Sequence, residues 1–139
     1  MTRRLDAADV GLVVFEKQPF WGPELKRQFS KQQILVRECR SVSDLHPNPD
    51  SLSRSVLLLV LDAAPTDCLT WMGRQLQNNS PPFVVVASPD LMDLEWPIRE
   101  AGAAAFVHDE IAGDRLARLC RRLLSSCRER ADEVNTRVR

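Results

Sequence analysis

The chain has 139 residues, which suits one domain with a substantial hydrophobic core. Its 19 basic residues balance 19 acidic residues, so no net charge attracts nucleic acid or an anionic membrane. No apolar run approaches the roughly 20 residues of a membrane-spanning helix and no signal-peptide stretch is present, so we expect a cytoplasmic protein that binds neither nucleic acid nor membrane.

Four short apolar runs stand out along the chain, and none alternates strictly between apolar and polar residues. Continuous runs of valine and leucine between turn residues are typical of strands covered on both faces, as in a parallel sheet. Residues 34–39 form a fifth segment, half apolar and half charged, which suits an edge strand. The four buried strands are predicted at residues 10–15, 56–61, 83–87 and 103–108.

Helix-like stretches separate these runs. The first begins near Pro23, a favoured first helical residue. Its apolar stripe consists of Trp21, Leu25 and Phe29. The second begins at Thr66 or Asp67 and stops before residues 78–82. Residues 41–54 contain two prolines and leave room for one helical turn or a loop.

A third helical stretch ends at Gly102, but Pro97 forbids a helix throughout, so its helical part begins near Trp96. The last helix starts around residues 111–114 and can run almost to the C-terminus. Strands that alternate with helices in this way predict a three-layer α/β sandwich with right-handed crossovers.

The chain has four scattered cysteines, no C-x-x-C pair and only two histidines. A zinc site is therefore not expected, and disulfides would be unusual in a reducing compartment. We interpret the four as small residues of the core or its margin: Cys39, Cys68, Cys120 and Cys127.

The order of elements resembles the receiver domain of two-component response regulators over roughly residues 9–124. "PPFVVVASPD" followed by "IREAGAAAFVHDE" looks like the fourth strand, a helix ending in Ala-Gly-Ala and a fifth strand with an aromatic residue. "LVVFEKQP" and "LLLVLDAAP" look like the first strand with its acidic end and the third strand with its phosphoacceptor loop. The resemblance implies a flavodoxin-like fold. Its parallel sheet would have five strands of order 2-1-3-4-5 and about five helices, the second short or broken.

Receivers place a phosphoacceptor aspartate after the third strand and acidic residues that help to hold Mg²⁺ after the first. A hydroxyl after the fourth strand and a lysine after the fifth bind the phosphoryl oxygens. The resemblance puts Asp62 at the phosphoacceptor position. The helper positions depart from the pattern, since they hold Phe15 with Glu16, Ala87, and Asp109.

Asp109 is the most damaging departure, because it replaces a cation that would pair with a phosphoryl oxygen by an anion. Unit charges about 4 Å apart interact by about 4 kcal/mol at an effective dielectric of about 20. Ala87 has no hydroxyl, and Ser88 would substitute only if the loop register slipped by one residue. Phe106 keeps the aromatic residue of the fifth strand. We therefore interpret the chain as a degenerate receiver, or pseudo-receiver, with no catalytic residues.

Glu16, Asp62 and Asp109 form a predicted acidic pocket at one edge of the sheet. Solvated carboxylates around an empty pocket are the favoured interpretation, which requires no cofactor. The pocket could instead hold a divalent cation such as Mg²⁺, with Glu16 and Asp62 as the candidate ligands, or one carboxylate could take up a proton. No G-x-G-x-x-G or Walker fingerprint indicates a nucleotide site.

Apolar residues crowd into a region that in receivers is surface and serves for partner docking. Tryptophan and methionine are typical of interfaces, although half of these side chains could simply cover the sheet. This predicted partner face consists of Leu91, Met92, Leu94 and Trp96.

The last helix carries apolar residues at nearly heptad spacing. Its first half is needed to cover the sheet, and the rest is either a short coiled coil that forms a homodimer or a solvated tail, which is favoured. The residues are Leu116, Cys120, Leu123, Cys127, Ala131, Val134 and Val138. We expect a tail at residues 1–8, a receiver-like domain at 9–127, and a helical extension or tail at 128–139.

Our leading hypothesis is a stand-alone signalling module that binds a protein partner, since no output domain follows. It would use the helix after Trp96, the fifth strand and the last helix. One alternative is an atypical but functional receiver phosphorylated on Asp62. Another is a flavodoxin-like module that binds a small ligand or a cation.

Overall fold

The computed structural model describes residues 11–45, 55–75 and 81–138, with side chains as far as residue 126. The strands are β1 (Gly11–Phe15), β2 (Leu35–Cys39), β3 (Ser55–Val60), β4 (Phe83–Ala87) and β5 (Ala105–His108). The α-helices are α1 (Trp21–Gln28), α2 (Pro65–Gln75), α3 (Glu95–Glu100) and α4 (Gly113–Val138). Three short 3₁₀ segments lie at Val42–Leu45, Leu61–Ala63 and Pro89–Leu94.

All five strands form one parallel sheet of order β2-β1-β3-β4-β5, which confirms the predicted fold class. Helices α1 and α4 cover one face, and α2 and α3 cover the other. Between β2 and β3, the described part of the chain contains the 3₁₀ turn at Val42–Leu45. The remainder of the predicted loop, residues 46–54, lies outside the described residues.

The aliphatic run of β3 is explained by its place in the middle of the sheet. Leu58 packs on the α1/α4 side, whereas Leu57 and Leu59 pack on the α2/α3 side, and all three are fully buried. Because successive residues of a strand point to opposite faces, the middle of a strand that is covered on both sides is apolar, and the one polar residue of β3 is Ser55 at its start. The strand ends at Val60, since Leu61 begins a 3₁₀ turn.

Helix α3 begins at Glu95, next to the residue where the sequence placed it, and the 3₁₀ segment Pro89–Leu94 precedes it. The chain leaves the helix through Gly102, whose φ of 108° is a left-handed conformation that favours glycine. The stop signal for this helix is therefore confirmed.

Helix α4 packs on the sheet through its first three turns. Leu116, Ala117, Cys120 and Leu124 are buried on the α1/α4 side. The backbone remains helical to Val138, but the rest of the predicted heptad seam, from Cys127 onward, has side chains outside the described part. None of the helices in the described ranges combines the length and the apolarity that crossing a membrane requires.

The three cysteines whose side chains are described are free and buried, as expected of core residues. Burial raises the pKa of Cys68 to about 12, with nearby Asp67 adding to the effect, and burial raises the pKa of Cys120 to about 12. The pKa of Cys39 is also raised, chiefly by burial. These thiols are therefore poor nucleophiles in the folded protein.

We predict that Cys39, Cys68 and Cys120 resist Ellman's reagent in native protein of a Cys127→Ser variant. With a pKa of about 12, Cys68 and Cys120 have only ~10⁻⁴ of their population as thiolate at pH 8, and burial both raises the pKa of Cys39 and shields its thiol. Thiol titration should find almost no fast reaction in buffer and complete reaction in urea. Rapid labelling of any of the three in the native state would contradict this assignment to the core.

Candidate functional site at the carboxyl edge of the sheet

Asp62 lies in the 3₁₀ turn that follows β3, with its side chain exposed. Both of its carboxylate oxygens accept hydrogen bonds from a single residue. The backbone N–H of Ser88 donates to Oδ1 at 2.9 Å, and the Ser88 hydroxyl donates to Oδ2 at 2.6 Å. Bonds between O–H and a carboxylate at this length are charge-assisted and stronger than neutral ones.

The hydroxyl that reaches Asp62 belongs to Ser88 and not to Ala87. Ala87 is the last residue of β4 and is fully buried on the α2/α3 side. The chain stays extended through Ser88, with φ −76° and ψ 167°, so the next side chain points away from that core and toward Asp62. No slip in the loop register is needed for this contact.

Glu16 is buried and caps helix α1. Its Oε2 accepts the backbone N–H groups of Phe20 at 3.0 Å and Gly22 at 2.9 Å, and its Oε1 accepts that of Trp21 at 3.0 Å. The first N–H groups of a helix lack partners within the helix, and the dipole favours a negative charge at this end. The Glu16 carboxylate is therefore committed to the start of α1.

Phe15, at the other position of the acidic pair, is buried in the α2/α3 side of the core. Its ring supplies packing volume and no metal ligand. With the Glu16 and Asp62 oxygens already bonded within the protein, the residues at this edge do not fit a receiver-type Mg²⁺ site. No group of three or more His, Cys, Asp or Glu side chains in the described ranges could hold a metal ion.

The predicted acidic pocket is an open cleft of about 640 Å³. The structure brings Glu16, Asp62 and Asp109 to its lining, as the order of the strands predicts, together with Glu110 and Lys17. Asp62, Asp109 and Glu110 are exposed, whereas the Glu16 carboxylate is covered by helix α1. The solvent side of the cleft is therefore acidic.

Among the described residues, the ion-pair contact of Asp109 is with its neighbour His108. Its Oδ1 lies 3.3 Å from His108 Nδ1, and that nitrogen also accepts the N–H of Glu110 at 3.1 Å. A ring nitrogen that accepts a hydrogen bond has no proton to donate to Asp109. The His108–Asp109 contact is thus an ion pair only when Nδ1 is protonated, at the expense of the Glu110 bond.

The predicted partner face divides into two parts. Leu91, Met92 and Leu94 are half-buried and pack against the α2/α3 side of the core, whereas Trp96 is 69% exposed. Phe106 is buried in the same core. Sequence interpretation did not single out a second exposed aromatic residue, Phe20.

Phe20 is 64% exposed and packs edge-on against Trp21, with ring centroids 4.9 Å apart. The stripe formed by Trp21, Leu25 and Phe29 is buried as predicted. Phe20 directly precedes α1 and does not belong to this stripe. Its place outside the apolar pattern is the sequence signal that could have identified it as exposed.

Solved receiver domains share this fold. A signal receiver domain from Vibrio parahaemolyticus matches with a TM-score of 0.73 at 15% identity, over 87% of this chain and 94% of that one. The non-phosphorylated HemR receiver domain from Leptospira biflexa matches with a TM-score of 0.68 at 15% identity, over 83% of this chain and 94% of that one. Full-length FixJ from B. japonicum matches with a TM-score of 0.69 at 15% identity, over 88% of this chain and 61% of that one.

No protein-family model matches the sequence, and neither does any curated protein sequence. At identities this low, the structural likeness establishes the fold alone. The chain thus has the fold of a response-regulator receiver domain, as its sequence pattern predicted.

We predict that Glu16→Ala lowers the free energy of unfolding by about 2–4 kcal/mol, because three N–H groups at the start of α1 lose a charged acceptor. Glu110→Ala is the matched control, since Glu110 is an exposed acid of the same cleft, and it should cost less than about 0.5 kcal/mol. Urea unfolding measures both. Equal, small losses would show that Glu16 has no capping role.

Proposed function

We propose that this domain is a degenerate receiver, a module of two-component signalling that acts by protein–protein contact without being phosphorylated in the usual way. The cleft around Asp62 carries the proposal. Among the described residues that line it, three exposed acids stand against one basic side chain, Lys17, and Asp109 occupies the position that would need a lysine.

A phosphoryl group on Asp62 would meet two obstacles in this cleft. It would first have to displace both Ser88 donors from the carboxylate. It would then add negative charge beside Asp109 and Glu110, where catalysis of phosphoryl transfer needs cations to neutralise the oxygens. Neither obstacle is offset by a metal, because Glu16 is committed to helix α1 and Phe15 is apolar.

The partner face, residues 91–96, is the surface we assign to protein contact. Trp96 is a large aromatic side chain left mostly in solvent, and tryptophan is over-represented among residues that dominate binding energy. The half-buried Leu91, Met92 and Leu94 border it. Since the structural neighbours are receiver domains of response regulators, a signalling protein is the partner class we propose. A homodimer through the last helix stays a prediction.

One alternative has an observation in its favour. Asp62 is exposed directly after β3, so a phosphodonor could approach it, as in an atypical functional receiver. The cation-binding alternative lacks comparable support, since the candidate ligands Glu16 and Asp62 already have donors within the protein.

We predict that incubation with Mg²⁺ and acetyl phosphate leaves the intact mass unchanged, because the cleft repels the phosphoryl group. Asp62→Asn serves as the unreactive control. An Asp109→Lys variant should give more adduct than the wild type, since it restores a cation at the end of β5. A wild-type phosphoryl adduct that Asp62→Asn abolishes would overturn the proposal and favour a functional receiver.

We also predict that Trp96→Ala changes the free energy of unfolding by less than about 0.5 kcal/mol, because its ring lies in solvent. Trp71→Ala is the matched comparison: Trp71 is buried against Phe83, and the substitution should cost about 3–5 kcal/mol. Chemical unfolding of both variants tests this. A large loss from Trp96→Ala would mean that the ring serves the fold and is not free for a partner.

A further inference from the structure

We propose that Ser88 is a positioning residue that links the acidic cleft to the partner face. In this view its two hydrogen bonds to Asp62 hold residues 88–96 in the conformation that a partner meets, with no phosphoryl group involved. The inference rests on the proposed function, because it states how the degenerate site and the partner face act together.

The first support is the geometry of the Asp62–Ser88 contact. Two donors of one residue engage the two oxygens of one carboxylate, at 2.6 and 2.9 Å, across 26 residues of sequence. The hydroxyl bond restricts the side chain of Ser88, and the amide bond restricts its backbone. One carboxylate therefore determines both the position and the direction in which the chain leaves β4.

The second support is that the side chain of Ser88 does not cap the 3₁₀ segment that follows it. A serine before a helical segment ordinarily turns its side-chain oxygen back to accept an N–H of the first turn. Ser88 directly precedes the 3₁₀ segment Pro89–Leu94, yet its side chain makes no such cap and donates to Asp62 instead. The segment is attached to Ser88 through the backbone, since the Leu91 N–H donates to the Ser88 carbonyl at 3.0 Å.

The third support is that the segment has no fully buried residue. Three of the six residues of Pro89–Leu94, namely Leu91, Met92 and Leu94, pack against the core while partly exposed, and the other three lie in solvent. Segments with few buried contacts open at low free energy. A pair of charge-assisted hydrogen bonds at the start of such a segment is thus a large share of what orders it.

Coupling of this kind is reciprocal. Any group that draws Asp62 away from Ser88, such as a cationic side chain of a partner entering the cleft, would loosen residues 88–96. Equally, a partner that binds those residues in their present conformation would strengthen the Asp62–Ser88 contact by the same free energy. Binding at the cleft would then control the conformation of residues 88–96, although no reaction takes place in the cleft.

Hydrogen–deuterium exchange of the full chain tests the link. Ser88→Ala should speed exchange of the amides of residues 88–96 roughly tenfold, and Asp62→Ala should speed it further, because it removes the acceptor of both bonds. Ser88→Thr keeps a hydroxyl and should restore slow exchange. Ser125→Ala, at an exposed serine of α4, is the matched control and should change nothing in this segment.

Three outcomes would overturn the link. The amides of residues 88–96 could exchange at the same rate in Ser88→Ala and Ser125→Ala. Ser88→Thr could fail to restore slow exchange of these amides. The faster exchange in Ser88→Ala could also spread evenly over β1, β3 and β4. The last outcome would mean that Ser88 stabilises the whole domain. Phosphorylation of Asp62 would refute the proposed function separately, because the exchange assay contains no phosphodonor.

Discussion

The burial of β3 on both faces is the constraint on which the rest of the molecule depends. This strand lies between β1 and β4, and four of its six residues are fully inaccessible to solvent. No polar side chain can be placed in such a strand without losing its hydration. The first exposed side chain after the buried part of β3 is that of Asp62, which lies in the 3₁₀ turn past the end of the strand.

Parallel pairing then decides which residues share that edge. The carboxyl ends of β1, β3, β4 and β5 lie along one rim of the sheet, so Glu16, Asp62, Ser88 and Asp109 follow the strands to the same place. This is where ligands bind in open α/β sheets. The chemistry of the rim is a consequence of topology, whereas its reactivity depends on what each of these residues touches.

Three residues that the resemblance assigns to helper positions, Phe15, Glu16 and Ala87, serve packing or capping in this structure. The carboxylate of Glu16 accepts hydrogen bonds from the start of α1, while the side chains of Phe15 and Ala87 pack in the core. The Glu16 carboxylate has its hydrogen bonds, and the other two side chains are fully buried in apolar surroundings. An acidic residue at position 15 would place a carboxylate where the ring of Phe15 is buried, which is costly without compensation elsewhere. Phe15, Glu16 and Ala87 are therefore part of the fold and not only of the surface of the cleft.

The sequence predicted the strands, because continuous aliphatic runs and turn residues are local signals, whereas the order of the strands and the acidic rim were implied by the resemblance to receivers. It did not predict the cap by Glu16 or the contact of Ser88 with Asp62. Glu16 stands four to six residues before the amides it binds, outside the usual capping spacing, and depends on how the loop folds back. Ser88 is 26 residues from Asp62, and only the extended chain after β4 brings them together.

The extended residue Ser88 joins the cleft to the 3₁₀ segment, although Ala87, the last residue of β4, has no hydroxyl. In the receiver pattern, an added phosphoryl group recruits a hydroxyl and so moves the loop after the fourth strand. Here the hydroxyl stands one residue further along, and the aspartate itself is the anion that it binds. Because the 3₁₀ segment that follows has no fully buried residue, two hydrogen bonds at its start matter to its order. Under the proposed link, a change at the cleft would reach Trp96 without any rearrangement of the core.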